Sequence, residues 1–300
     1  MQLQILGPLE ILDVNGVRVF VSGQKRRALL AALVVCAGRT LSMDRLIEEL
    51  WGGAPPVNAT NALQAHIGRL RKAVEAACGE PDRIVTRPPG YFLTLLPGET
   101  DAAEFATKVA AARSVDPAAA IPLLRAALAL WRGPALDGCV VGDLCAAEAV
   151  VLDESRLTAL EALYDASLRI GRHAEVIGEL EESTAAHPLR ERFYDQLMVA
   201  LCRADRQSDA LGVYERARRR LITELGVEPG PTLRARERAI RSNGVVELDV
   251  PQRPGSSVSS VSSETQELSR EVAELQQRIE VLASRQEELA RKLTDPLSAG

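Results

Sequence analysis

The sequence predicts a mainly α-helical protein with a small β component, and three observations predict it. Within residues 1–98, strand-like alternation comes first, three helical stretches follow, and a Pro-Pro-Gly signal between two β-rich runs closes the segment. From 99 to 243 the chain is rich in Ala and Leu and almost wholly helical in period. From 264 to 293, Leu recurs every seven residues, which predicts a coiled-coil tail.

The elements follow in order. Residues 2–21 read as strands, with VRVFV (17–21) alternating at period two and Asn15-Gly16 before it as a tight-hairpin signal. In SGQKRRALLAALVVCAG, Ser22 is the expected cap, an apolar helix follows, and Gly38 is the expected stop. SMDRLIEELWGG begins a second helix capped by Ser42, with Leu46, Ile47, Leu50 and Trp51 at helical spacing and a double Gly at its end. Pro55 and Pro56 break the chain before a third helix, NATNALQAHIGRLRKAVEAA (58–77). RIVTRPPGYFLTLL (83–96) reads as a hairpin. Strands, three helices and a hairpin within about 96 residues make a winged helix-turn-helix with an extra N-terminal sheet, in which the third helix enters the major groove of DNA.

The third helix carries the chemistry. Leu63, Ile67, Leu70 and Val74 form its core stripe at i, i+4, i+7 and i+11. At about 100° per residue, Asn61, Ala65, Gly68, Arg69 and Lys72 point the other way. Ala65 and Gly68 leave room for a close approach, and Arg69 and Lys72 have the reach for bases or phosphates. Thr60 and Asn61 sit in the first turn, where unpaired N–H groups favour phosphate. Gln64, His66 and Arg71 flank this face. Lys25 and Arg26 open the first helix against its dipole, which a phosphate contact would explain. Arg87 stands before the hairpin tip, a place suited to a minor groove.

An internal repeat marks the helical part. IGRHAEVIGELEES (170–183) aligns with ADRQSDALGVYERA (204–217) at an offset of 34, the tetratricopeptide period, with Arg172 matching Arg206, Ile177 matching Leu211 and Leu180 matching Tyr214. The expected organisation is a winged-helix DNA-binding domain at 1–98, a tetratricopeptide-like helical domain at 99–243, a Pro/Ser-rich linker at 244–263 and a coiled coil at 264–293. In the coiled coil, Leu268, Leu275, Leu282 and Leu289 form one seam and Val272, Ile279, Gln286 and Leu293 the other, which predicts a parallel homodimer.

Composition narrows the function. Apolar residues are 46% of the 300, enough for real cores, and aromatic residues only 3%. The net charge of −5 hides a basic head: residues 1–98 hold eleven Lys/Arg against eight Asp/Glu. Cys36, Cys78, Cys139, Cys145 and Cys202 are scattered without a C-x-x-C pair, so buried thiols in a reducing cytoplasm are expected. The N-terminus lacks the pattern of a signal peptide, no charge-free stretch of about 18 apolar residues predicts a membrane span, and a cytoplasmic location is expected. Neither phosphate-binding loop nor nucleophile-elbow nor zinc-protease motif is present, so neither enzymatic activity nor a cofactor nor a catalytic or metal site is expected.

GQKRRALLAALVVCAGRTLSMDRLIEELWGGAPPVNATNALQAHIGRLRKAV and TRPPGYFL resemble the head of the Streptomyces antibiotic regulatory protein family. LWRGPAL and HPLRERFYDQLMVALCRADRQSDALGVYERARRRLITELGVEPGPTLRARERAI resemble its bacterial transcriptional activation domain. The resemblance covers about residues 1–243. It implies an OmpR-like winged helix, a tetratricopeptide-like second domain, binding to direct repeats in promoter DNA, contact with RNA polymerase holoenzyme, and activation of secondary-metabolite gene clusters. By motif position it implies Lys25, Arg26, Thr60, Asn61, Arg69, Arg71, Lys72 and Arg87 as DNA contacts. The Lys25-Arg26-Arg27 run departs from the Lys-Pro-Arg of many members, and the heptad tail is not a standard part of the family. The competing class is a tetratricopeptide adaptor whose winged helix contacts protein. Steep loss of duplex affinity with salt separates the two, because phosphate contacts release counterions.

Overall fold

The N-terminal strands β1 (Gln2–Gln4), β2 (Glu10–Leu12) and β3 (Arg18–Val19) form an antiparallel sheet in the order β1-β2-β3, in a computed structural model that describes residues 1–242. Leu3 pairs with Ile11 and both are fully buried, as alternation requires of a sheet with one face on a core. The Asp13 carboxylate accepts from the N–H groups of Asn15 and Val17, each at 2.8 Å, and so builds the turn around Asn15-Gly16. The third strand is shorter than its alternation predicts. Only Arg18 and Val19 pair, and Phe20 is 83% exposed, so the alternation at 17–21 continues past the paired residues.

Helices α1 (Gln24–Val35), α2 (Met43–Trp51) and α3 (Ala59–Cys78) follow, with the hairpin β5 (Ile84–Arg87) and β6 (Gly90–Leu93). Helix α1 is capped by Gly23 at φ +89°, not by Ser22, whose hydroxyl instead accepts from Arg26. It ends at Val35, three residues before Gly38. Ser42 does cap α2, accepting from the Arg45 N–H at 3.2 Å. A short strand that the sequence reading lacked, β4 (Thr40–Ser42), precedes α2 and pairs with β6 in a second sheet of order β4-β6-β5. Gly90 is required there, because a Cβ would lie 1.8 Å from the Leu41 carbonyl oxygen.

The remaining described helices are α4 (Asp101–Ala112), α5 (Pro117–Leu128), α6 (Asp143–Arg169), α7 (His173–Ala186), α8 (Glu191–Arg203), α9 (Gln207–Leu225) and α10 (Pro231–Arg241). The 34-residue offset appears as matching helices: α7 begins at His173 and α9 at Gln207. Each is preceded by an Arg that pairs with an acid three residues on, Arg172 with Glu175 and Arg206 with Asp209. The equivalent Leu180 and Tyr214 are both buried. The Arg236 guanidinium meets the buried Asp195 carboxylate at 2.7 Å and ties α10 to α8.

Packing is continuous across residue 98. Buried Asp101, at the start of α4, accepts from the Ile5 N–H at 2.8 Å and the Leu6 N–H at 3.0 Å. The Arg132 and Leu136 N–H groups donate to the carbonyls of Leu6 and Ile5. The described residues accordingly fall in one compact unit. The expected linker at 244–263 and heptad segment at 264–293 lie outside the described residues.

Candidate nucleic-acid interface

Helix α3 divides into two faces. Leu63, Ile67, Leu70 and Val74 are at most 1% exposed and hold it against the core. Burial of each such side chain contributes about 1.5–3 kcal/mol, so the register of this helix is firmly set. Thr60, Asn61, Gln64, Ala65, Gly68, Arg69 and Lys72 are exposed on the other side. A Cβ on Gly68 would meet nothing within 4 Å, so no neighbour in the fold requires a glycine there. A mid-helix glycine costs roughly 0.5–1 kcal/mol relative to alanine. At the N-terminus of α3 the Asn58 side chain makes no capping hydrogen bond, so Thr60 and Asn61 stand in a first turn that no side chain closes.

Around this face the cations fall into two groups. Arg69 and Lys72 project from α3 without a hydrogen bond or ion pair among the described residues, and Arg87 is exposed near the hairpin tip with its guanidinium 5.4 Å from the Phe92 ring centre. The others are engaged within the fold. Lys25 is half-buried, with its Nζ donating to the Leu50 carbonyl and lying 5.9 Å from the Trp51 ring. Arg26 donates to Ser22 Oγ at 2.8 Å. Arg71 donates through Nε to the Ile84 carbonyl at 2.7 Å and through Nη2 to Thr86 Oγ1 at 2.9 Å, and so fixes the hairpin to α3. The structure therefore brings Thr60, Asn61, Gln64, Ala65, Gly68, Arg69 and Lys72 onto one helix face, sets Arg87 on the hairpin, and gives Lys25, Arg26 and Arg71 intramolecular partners.

Two contacts behind this face were not read from the sequence. His66 stacks on Trp51 with ring centres 6.3 Å apart, which joins α3 to the end of α2. Burial, and then the charges of Arg26 and Arg69, hold its imidazole below the usual histidine pKa. Glu49, also on α2, is 2% exposed. Its Oε2 accepts from the Leu144 N–H at 2.9 Å and its Oε1 from the Cys145 N–H at 3.0 Å, in the first turn of α6. The spacing of Glu49 within an acidic, amphipathic α2 offered no signal for this, since Glu48 beside it is an ordinary exposed acid. Cys36, Cys139 and Cys145 are buried and burial pushes each thiol up, so they act as small apolar core groups. Among the described residues no group of three His, Cys, Asp or Glu could hold a metal ion, and no helix is long and apolar enough to cross a membrane.

Comparison with known proteins adds to this geometry. Residues 20–93 match the family model of the transcriptional regulatory protein C-terminal domain, and residues 100–241 that of the bacterial transcriptional activator domain. The transcriptional regulator RedD of Streptomyces coelicolor is 43% identical over 256 residues, 83% of this chain and 73% of its own. The regulatory protein DnrI of Streptomyces peucetius is 36% identical over 270 residues, 86% of this chain and 98% of its own. The regulatory protein AfsR of Streptomyces coelicolor is 41% identical over 241 residues, but they are only 24% of its length. A solved structure of Mycobacterium tuberculosis EmbR, in complex with a low affinity phosphopeptide, superposes with a TM-score of 0.77 at 36% identity, covering 82% of this chain and 66% of that one.

Proposed function

The chain belongs to the Streptomyces antibiotic regulatory protein family and is a DNA-binding transcriptional activator, and from that premise we propose that α3 reads direct repeats in the promoters of a secondary-metabolite gene cluster. The observation that carries this reading is the exposed face of α3, with Gly68 open to close approach and Arg69 and Lys72 unengaged beside it. Arg69 supplies a fork for a guanine edge, and Lys72 a point charge for phosphate. Thr60 and Asn61 place first-turn N–H groups toward a phosphate oxygen. Gln64 and Ala65 line the approach, the one able to hydrogen-bond a base edge and the other to touch a thymine methyl. Arg87 extends the footprint from the hairpin toward the neighbouring groove. Arg71, Lys25 and Arg26 support the reader from behind, and they reach phosphate only if their present partners are exchanged.

The helical part, including the repeat at α7 and α9, then contacts RNA polymerase holoenzyme, and the tail pairs two copies through its heptads. Footprinting on the promoters next to the gene, with affinity followed against salt, tests the reading. A log–log slope that reflects several phosphate contacts and a protected pair of direct repeats support it. Equal affinity for random duplex would sink it. Removal of residues 251–300 should halve the solution mass, and a full-length chain that remains monomeric by light scattering at tens of micromolar would remove the dimer from the proposal.

A further inference from the structure

A second concentration of positive charge lies away from α3, on the helical part. Along α9, Arg216, Arg219, Arg220 and Thr223 fall at i, i+3, i+4 and i+7, the spacing of one helix stripe. That stripe faces the end of α7 across a cavity of about 440 Å³, whose opposite wall includes Glu181 and Thr184. Its volume lies within the range of small-ligand sites, roughly 300–1,000 Å³. The floor is held in place: Tyr194 is 4% exposed and its hydroxyl donates to the Thr184 and Pro188 carbonyls at 3.4 and 3.1 Å.

The charges on this cavity do not cancel. Arg216 is paired with Glu181 at 2.8 Å, and Arg220 with Glu224 at 3.2 Å. Arg219 reaches only the Glu215 carbonyl of its own helix, at 3.3 Å. Three guanidiniums thus share one wall with a single carboxylate, Glu181, opposite. Like charges three and four residues apart each destabilise a helix by about 0.2–0.5 kcal/mol. All three side chains are exposed, and with Arg216 and Arg220 engaged by Glu181 and Glu224, Arg219 is the one left without a carboxylate among the described residues. On the other flank of α7 the neighbouring cavity has the opposite character, lined by Asp153, Glu179 and Glu182 with Arg156. The cationic cluster is therefore a local feature and not the average of this part of the molecule.

We propose that the cavity between α7 and α9 binds a small, multiply charged oxyanion of the phosphate or phosphate-ester class, with Arg219 as the principal ligand and Arg216 and Arg220 closing around it. Guanidinium forks match phosphate oxygens in pairs, and two or more negative charges are needed to draw Arg216 and Arg220 from Glu181 and Glu224. The exposed setting gives a site tuned by ionic strength. Inorganic pyrophosphate is a suitable probe, titrated calorimetrically into the full chain at low salt. The expected result is saturable one-to-one binding that weakens at least tenfold in Arg219→Ala, is partly retained in Arg219→Lys, and is unchanged in Arg238→Ala, a surface cation outside the cavity. Unliganded Arg219→Ala should melt with the parent, while the pyrophosphate-induced rise in melting temperature should disappear. Absence of saturable binding up to millimolar probe would overturn the site, as would equal weakening by Arg219→Ala and Arg238→Ala. A duplex arm separates it from the DNA surface: should Arg219→Ala weaken promoter DNA as much as it weakens pyrophosphate, the cavity is a backbone contact and the proposal fails.

Discussion

The carboxylate of Glu49 accepts a hydrogen bond from the backbone N–H of Cys145, at 3.0 Å and across 96 residues of sequence. One helix of the DNA-reading part thereby supplies the N-terminal cap of a helix in the activation part. The second oxygen takes the Leu144 N–H, so two of the otherwise unpaired donors at the start of α6 are satisfied by one buried acid. Helix α2 also carries Trp51, which stacks on His66 of α3. The position of α3 is thus set partly from the helical part.

Glu49→Ala should cost about 1–3 kcal/mol, the penalty of leaving buried N–H donors without an acceptor. Gly142→Ala should do comparable damage by a different route, since its Cβ would stand 2.5 Å from Glu49 Oε2 and 2.6 Å from the Glu49 carbonyl. In thermal melts the parent should unfold in one transition, and both variants should show it lowered or divided in two. A Glu49→Ala variant with an unchanged melt would mean the capping contact carries no stability.

On α3 the substitutions should separate by mechanism. Arg69→Ala should cost about 1–3 kcal/mol on the cognate site and relax preference at one base position. Lys72→Ala should weaken all duplexes alike and reduce the salt slope by about one. Arg71→Ala should behave as neither. It loses the bonds to Ile84 and Thr86 and frees the hairpin, so its melt should fall together with its affinity. Binding isotherms on a panel of single-base variants at two salt concentrations distinguish the three. Identical behaviour of Arg69→Ala and Lys72→Ala would refute the division of roles.

The buried pair of Asp195 and Arg236 makes a sharper stability prediction. Both side chains are nearly inaccessible, and Arg192 also reaches Asp195, at 3.2 Å. Asp195→Ala leaves guanidinium charge buried without this carboxylate and should cost about 3–5 kcal/mol. Chemical denaturation of the two proteins measures it directly, and a loss under 1 kcal/mol would show that the remaining partners suffice.

Much of this was legible in the sequence, for physical reasons that differ by residue. The stripe Leu63, Ile67, Leu70, Val74 announces α3 because a helix on a core must bury one face, and that constraint is local. The 34-residue offset survives because α7 and α9 solve the same packing problem, down to the Arg before each helix. Ser42 is readable as a cap for the same local reason. The strand β4 is not, because three residues give no period and its existence depends on β6, about fifty residues away. Arg71 and Glu49 escaped because charge type alone does not reveal direction. One guanidinium turns inward to the hairpin and one carboxylate inward to α6, and both choices are made by tertiary packing.

His66 yields the prediction on pH. Its imidazole packs on Trp51, and burial together with Arg26 and Arg69 lowers its pKa in the folded protein. The unfolded chain binds the proton more readily, so the unfolded state gains protons first as the solution is acidified. The contribution of neutral His66 to stability is therefore fully present above the ordinary histidine pKa near 6.5 and is lost as pH falls through the lower folded value. Protonation there would add a third cation beside Arg26 and Arg69. His66→Phe keeps an aromatic partner for Trp51 and cannot be protonated. Its melting temperature should fall less than the parent's between pH 7 and pH 5.5, with His187, whose pKa burial also lowers, left to carry part of the slope. A parent with the same slope as His66→Phe would mean that another group carries the acid sensitivity in this range.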